Sequence, residues 1–233
     1  MSFCSMHCLY KKFPKFEHDQ IIKLGENKKR NLGYTYGNSL IIERDARDWD
    51  AQHAYGIPVN RRELKENDYL LNKLSKIRHK NIMKIYSFCE CAVEVEYIDG
   101  WIFNSHKPSY ILFERAYQKD FLSLCTEEEL YRSLKKIFEA LCTLHSHKIL
   151  HTDLTDFNVL VKKSTFEPVV IDLLGAIRIG QQTFNIKEDV QVFVHHFLIP
   201  TLTRLNILRA SEISKMFKDY SYNEVIDFLE NRI

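Results

Sequence analysis

His151-Thr152-Asp153-Leu154-Thr155-Asp156-Phe157-Asn158-Val159-Leu160-Val161, followed by Val169-Val170-Ile171-Asp172, is the stretch whose reading decides this chain. An Asp is followed by an Asn five residues on, and by a second Asp fourteen residues after that. Each polar residue adjoins an apolar run. Val159-Leu160-Val161 and Val169-Val170-Ile171 have the length and β-branched content of strands and are predicted to pair as a short hairpin. Asp and Asn also favour turns for local backbone reasons, and Asp172 could simply cap a strand. A lone His-x-Asp would carry nothing beyond that. The ordered combination of helix, His-x-Asp-Leu, Asn, apolar triplet, turn, apolar triplet and Asp is what singles out a site.

Such a set suits metal-assisted phosphoryl transfer. That chemistry needs an aligned nucleophile, neutralised phosphate charge and exclusion of water. Asp153 is the candidate catalytic residue, a carboxylate able to orient a hydroxyl and take its proton late. A hard cation such as Mg2+ takes oxygen ligands, often only one or two from protein. Asn158 and Asp172 supply an amide oxygen and a carboxylate from two adjacent strand ends, and are the candidate metal ligands.

Working outward, the clearest helix spans about 127–145. Thr126 and Glu129 form a capping box at its start. Leu130, Leu134, Ile137, Phe138, Leu141 and Leu144 then make one apolar stripe. Towards the N-terminus, Ile21-Ile22-Lys23-Leu24, Leu32 to Tyr36 and Leu40-Ile41-Ile42 predict a small antiparallel sheet. A helix is expected from Arg61 to Ile77, and strands at Ile82 to Phe88 and Tyr110 to Phe113. Between those two strands, Asp99-Gly100 and Ser105-His106-Lys107-Pro108 mark turns in an insertion. After the hairpin the chain reads as helical, with a break at Pro200 and short helices around 212–217 and 223–229. The order predicts an α+β fold in two lobes. It is taken as a single domain, 1–233, with an N-terminal arm at 1–18, a small lobe over about 19–115 and a large lobe over about 117–233.

Composition excludes little. The 233 residues are 45% hydrophobic and 27% charged, with net charge +2. No basic footprint for nucleic acid stands out, so none is expected as a partner. No apolar run approaches the ~18 residues of a membrane span, and the first residues lack a secretory signal pattern. An intracellular protein, cytoplasmic or nuclear, is expected. The six cysteines match no zinc template, and reduced, partly buried thiols are expected rather than a site at Cys4, His7 and Cys8. The sequence sets no oligomeric state.

Residues about 79–193 resemble the protein-kinase superfamily. His79-Lys80-Asn81-Ile82-Met83-Lys84-Ile85-Tyr86 is similar to the entry into the fourth strand of the small lobe. Tyr110-Ile111-Leu112-Phe113-Glu114-Arg115-Ala116 is similar to the fifth strand and hinge. Leu141 to His151 is similar to the lead-in of the catalytic loop, and Glu188 to Phe193 to the start of the central helix of the large lobe. The resemblance implies ATP and Mg2+ as cofactors and a protein as substrate. It implies adenine contacts from the backbone of Glu114 and Ala116, beside a gate at Phe113. It implies that Asp189 binds catalytic-loop amides, although a helix N-cap would also suit Asp189.

The chain also departs from the pattern. Gly25, Gly33 and Gly37 do not form a glycine-rich loop, and Lys28-Lys29-Arg30 lies at its tip. Arg44, or else Lys23, stands in for the strand lysine that binds phosphate, with Glu63 or Glu66 as its partner acid. Thr152 occupies the usual Arg position after the loop His, and Asp172-Leu173-Leu174 replaces Asp-Phe-Gly. Only seventeen positions separate Asp172 from Asp189. This shortness resembles haspin-like, RIO-like and lipopolysaccharide-core kinases, and Asp-Leu-Thr resembles the RIO kinases and the small kinase of the tRNA-threonylcarbamoylation complex. The expected function is therefore a compact, atypical Ser/Thr protein kinase. The alternatives are a pseudokinase that binds partners, and a kinase for a small molecule, sugar or lipid head group.

Overall fold

Val93 and Val95 are fully buried, while Glu94 and Glu96 between and after them keep partial access to water. That period of two makes Ala92–Glu96 a strand with one face in a core. In the computed structural model, which describes residues 20–23, 32–36, 39–43, 61–88, 92–104, 120–173, 176–180 and 183–233, it is the fifth strand of an antiparallel sheet. The strands are β1 (Gln20–Lys23), β2 (Leu32–Tyr36), β3 (Ser39–Glu43), β4 (Ile85–Phe88) and β5 (Ala92–Glu96), in the order β1-β2-β3-β5-β4. Glu94 ties β5 to both neighbours. Its Oε1 accepts from Ser39 Oγ at 3.1 Å and its Oε2 from Ser87 Oγ at 2.6 Å. Helix α1 (Arg61–Leu74) packs beside β4 and buries Leu70, Leu71 and Leu74.

The three N-terminal strands and α1 follow the sequence pattern. Two expectations are corrected. Residues 92–104, expected as part of an insertion with turns, contain β5 and β6 (Gly100–Ile102). The fifth strand of the sheet is thus Ala92–Glu96, whereas Tyr110 to Phe113 lie outside the described residues. The apolar run from Ile82 to Phe88 also divides. Met83 N–H donates to the Val170 carbonyl at 2.9 Å, and Val170 N–H to the Asn81 carbonyl at 2.9 Å. Periodicity could not show this, because one short stretch bonds to two different sheets.

The chain groups into two compact units. One holds the five-stranded sheet and α1; the other takes Arg78–Met83 and everything described from Asp99 onward except the short span Lys107–Glu114, which lies outside the described residues. In the second unit, β6, β8 (Val159–Lys162) and β9 (Pro168–Val170) form an antiparallel sheet, with Val159 opposite Val170. The predicted hairpin is therefore present. The short strands β7 (Ile149–Leu150) and β10 (Ile177–Arg178) pair separately.

Helix α2 (Glu127–Ser146) is the axis of this unit. Thr126 Oγ1 accepts from Glu129 N–H, and the Glu129 carboxylate accepts from Thr126 N–H at 2.8 Å, so the predicted capping box is made. Leu130, Leu134, Ile137, Phe138, Leu141 and Leu144 are all buried, each worth about 1.5–3 kcal/mol relative to exposure. Around them Phe103, Phe121, Phe193 and Phe197 meet ring to ring, with Phe103 and Phe197 centroids 4.8 Å apart.

The predicted break at Pro200 does not occur. Helix α3 (Ile186–Val192) continues through a π-helical turn, Phe193–Leu198, into α4 (Ile199–Arg204). Ile199 N–H bonds to the Val194 carbonyl, five residues back. This wider turn lies just before Pro200, and the proline falls in the first turn of α4, where its missing N–H costs least. Helices α5 (Ala210–Met216) and α6 (Tyr222–Glu230) complete the unit, close to their predicted places. The architecture is α+β. No helix among the described residues is long and apolar enough to cross a membrane. Cys125 and Cys142 are free thiols whose pKa burial pushes up to about 11, so they are poor nucleophiles at neutral pH. The other four cysteines lie outside the described residues.

Leu134→Ala is expected to cost about 2–5 kcal/mol in urea unfolding, since it opens a cavity on the buried stripe of α2. A cost below about 1 kcal/mol would place this helix outside the cooperative core.

Candidate active site

The site begins where α2 ends. His147 N–H closes the helix on the carbonyls of Thr143 and Leu144, and Lys148, with φ 62°, turns the chain into β7. Ile149 and Leu150 are fully buried, which anchors the start of the loop that follows. Thr152 then takes φ 68°, in the left-handed region. A β-branched residue there stores about 1–3 kcal/mol and persists only when its surroundings hold it.

Asp189 holds it. Asn185 is the N-cap of α3 and forms a capping box with Glu188, so Asp189 is not used to cap. It lies inside the helix, fully buried, and its carboxylate turns to the loop. Oδ2 accepts from His151 N–H at 2.8 Å, and Oδ1 from Thr152 N–H at 2.8 Å. His145 Nε2 lies 2.7 Å from Oδ2. A buried carboxylate survives only with such donors, and here two of them are the loop's own amides. The role expected of Asp189 is thereby seen, and the capping alternative is not.

His151 is buried and makes the next link. Its Nε2 is 3.0 Å from the Ile171 carbonyl, which can only accept, so Nε2 carries the proton. Nδ1 is then the acceptor that faces Asp153 N–H at 3.4 Å. Asn158 closes the loop from the other side. Its Nδ2 donates to the Asp153 carbonyl at 2.7 Å and to Asp153 Oδ2 at 3.0 Å. Ile171 N–H donates to the Asn158 carbonyl at 2.9 Å, which sets Asp172 one residue beyond the strand pairing. Both side-chain bonds of Asn158 use Nδ2, leaving Oδ1 for a ligand. Asp172 has φ 58° and keeps an open face to solvent. Protein packed around it raises its pKa above the ordinary carboxylate value; Asp153 adds to the rise and His151 opposes it.

Asp153, Asn158 and Asp172 therefore come together in one unit. Their oxygen donors fit a hard cation that draws its remaining ligands from phosphate and water. Among the described residues no group of three or more His, Cys, Asp or Glu could hold a metal ion, so a cation here would depend on ligands from phosphate and water. Arg44, Glu114 and Ala116 lie outside the described residues, as do Phe113 and the segment with Lys28, Lys29 and Arg30. Glu63 and Glu66 fall on α1 and Lys23 on β1.

Sequence reasoning missed a second layer. Asp156, in the 3-10 turn Asp156–Asn158, is buried, and its pKa is pushed up to about 6 by desolvation. Its own backbone amide and that of Phe157, the nearby Asn104 side chain and the Arg204 charge each oppose the rise. Asn104 Nδ2 lies close to Asp156 without a hydrogen bond of normal geometry. Arg204 also donates to Asn104 Oδ1 and to Asp120 Oδ2, joining the end of α4 to the loop's underside. Four residues spread from 104 to 204 have no shared sequence period, so no local signal could group them.

A family profile for the protein kinase domain matches residues 59–200, more than half of the chain. The chain belongs to the protein kinase family. It is also similar to a probable myosin light chain kinase of Dictyostelium discoideum, at 28% identity over 132 residues. That match covers 54% of this chain and 24% of the relative.

Asp189→Ala leaves loop amides and His145 without an acceptor, and is expected to cost about 2–5 kcal/mol in thermal or urea unfolding. A neutral outcome would show that the loop is held elsewhere. Asp156 gives a pH prediction. Its folded pKa is raised, so the folded protein keeps a proton that the unfolded chain loses between roughly pH 4 and 6. Stability from this group is present below that window and lost as pH rises through it. Asp156→Asn should therefore gain about 1–2 kcal/mol on wild type between pH 4 and 7 in EDTA, and parallel pH profiles would contradict the assignment.

Proposed function

We propose that this chain is an ATP- and Mg2+-dependent protein kinase that phosphorylates serine or threonine hydroxyls. The observation that supports it best is the convergence of Asp153, Asn158 and Asp172, with Asn158 bonded to both the backbone and the carboxylate of Asp153. A pseudokinase has no need to keep all three.

In this reading Asp172 and Asn158 Oδ1 hold Mg2+, which when bound neutralises charge on the phosphates of ATP. Asp153 accepts a hydrogen bond from the substrate hydroxyl and takes its proton as the bond to the γ-phosphorus forms and ADP leaves. Asn158 keeps Asp153 in one rotamer, so that this carboxylate is aimed before substrate arrives. For the adenine edge the family resemblance supports backbone groups of Glu114 and Ala116, which lie outside the described residues. The relative's name supports a protein substrate.

Saturating ATP with Mg2+ should raise the thermal midpoint of the protein, because a ligand of the folded state stabilises it by mass action. Asp153→Ala should retain that shift while losing at least about a hundredfold in phosphate transfer from labelled ATP to extract proteins. No shift in the wild type would sink the enzyme reading. Equal incorporation by both proteins would remove Asp153 from its role, and label found in small molecules instead of protein would replace the substrate class.

A further inference from the structure

His145 has two ring nitrogens, and the loop uses only one. Nε2 faces Asp189, which as a carboxylate can only accept, so Nε2 carries the proton. Nδ1 is 2.5 Å from the hydroxyl of Tyr222, the first residue of α6. The two rings also stack, with centroids 5.7 Å apart and planes at 28°. Burial raises the Tyr222 pKa to about 12, with Cys142 and Asp189 adding to the rise, so the phenol stays a donor. The result is a directional chain. Tyr222 O–H donates to His145 Nδ1, His145 Nε2–H donates to Asp189, and Asp189 accepts the amides of His151 and Thr152.

The carboxylate and the phenol demand the same tautomer, and the phenol's bond to Nδ1 fixes the plane of the ring. If Nδ1 carried the proton instead, the lone pair on Nε2 would point at the Asp189 carboxylate, and that contact would become repulsive. The imidazole would then turn away, and Asp189 would lose one of its three donors. The next group along is Thr152, whose positive φ depends on its bond to Asp189, and Asp153 follows directly.

Tyr222 is itself held firmly. Ser221 and Glu224 form a capping box that fixes the start of α6. Val225, Phe228 and Leu229 are buried, and Phe138 meets the Tyr222 ring edge-on at 6.0 Å. Farther along, Lys135 pairs with Glu230 at 2.6 Å between α2 and α6.

We propose that Tyr222 is a positioning residue for the Asp153 loop, acting through His145 and Asp189, so that the C-terminal helix is part of this chain's catalytic apparatus. Its catalytic half rests on the function proposed above; its structural half does not. Tyr222→Phe keeps the ring, its stacking and its contact with Phe138, and removes only the hydroxyl. In the full chain, imidazole nitrogen spectra should show His145 as the Nε2–H tautomer in both proteins, with the Nδ1 resonance moving to that of an unbonded acceptor in the variant. The amides of His151 and Thr152 should exchange with solvent about tenfold faster, the effect of losing one hydrogen bond, while amides inside α2 keep their rates. In phosphate transfer, kcat should fall about tenfold with KM for ATP within about twofold. Lys135→Ala, which weakens the contact between α2 and α6 without touching the phenol, should match wild type in all three. Unchanged Nδ1 resonance and amide exchange in Tyr222→Phe, or equal loosening in Lys135→Ala, would overturn the proposal. Faster exchange with unchanged kcat would overturn its catalytic half. A wild type that transfers no phosphate would refute the enzyme reading, while the Nδ1 resonance and amide exchange still decide whether Tyr222 positions the loop.

Discussion

The carboxylate of Asp189 is the constraint on which the rest of the site depends. A fully buried charge is costly unless donors surround it, and this one is met by two loop amides and an imidazole. The same bonds hold Thr152 in a conformation it would not otherwise keep. Burial of the charge and strain in the loop thus offset one another: neither is stable without the other. The order of the loop is set from beneath, by helix α3, and leaves the solvent face of Asp153 open for chemistry.

The second constraint is strand register. Val159 pairs with Val170, so Asn158 and Ile171 meet just past the paired residues, and Asp172 emerges one step later. A slip of one residue would turn every side chain of one strand to the other face of the sheet and shift Asp172 along the chain relative to Asn158. Burial of Val159, Leu160, Val161, Val169 and Val170 makes such a slip expensive. The two metal-ligand candidates are therefore placed by the core of the second unit and need no contact with each other.

Much of this was legible beforehand, for local reasons. The stripe on α2, its capping box, the hairpin and the Asp-Asn-Asp spacing all rest on periods of two or 3.6 and on neighbours a few residues apart. Asp189 was legible through resemblance, and its geometry agrees. The misreadings have separate causes. Ile82 to Phe88 is divided by partners far along the chain, Met83 bonding to Val170 while Ile85 to Phe88 pair with β5. Ala92 to Glu96 does carry the alternation of a strand, and Pro200 is tolerated because a π-turn precedes it.

The sequence by itself determined the class of protein, since its Asp, Asn and Asp spacing resembles the protein-kinase catalytic loop and the family profile agrees. It also determined the α+β order of elements. Only the tertiary structure decided what holds those residues in place. His145, Tyr222 and Asp189, and likewise Asn104, Asp120, Asp156 and Arg204, come from segments with no shared period. Hydrogen bonds between such groups depend on distances of a few tenths of an ångström, which packing of the whole core sets and local pattern does not.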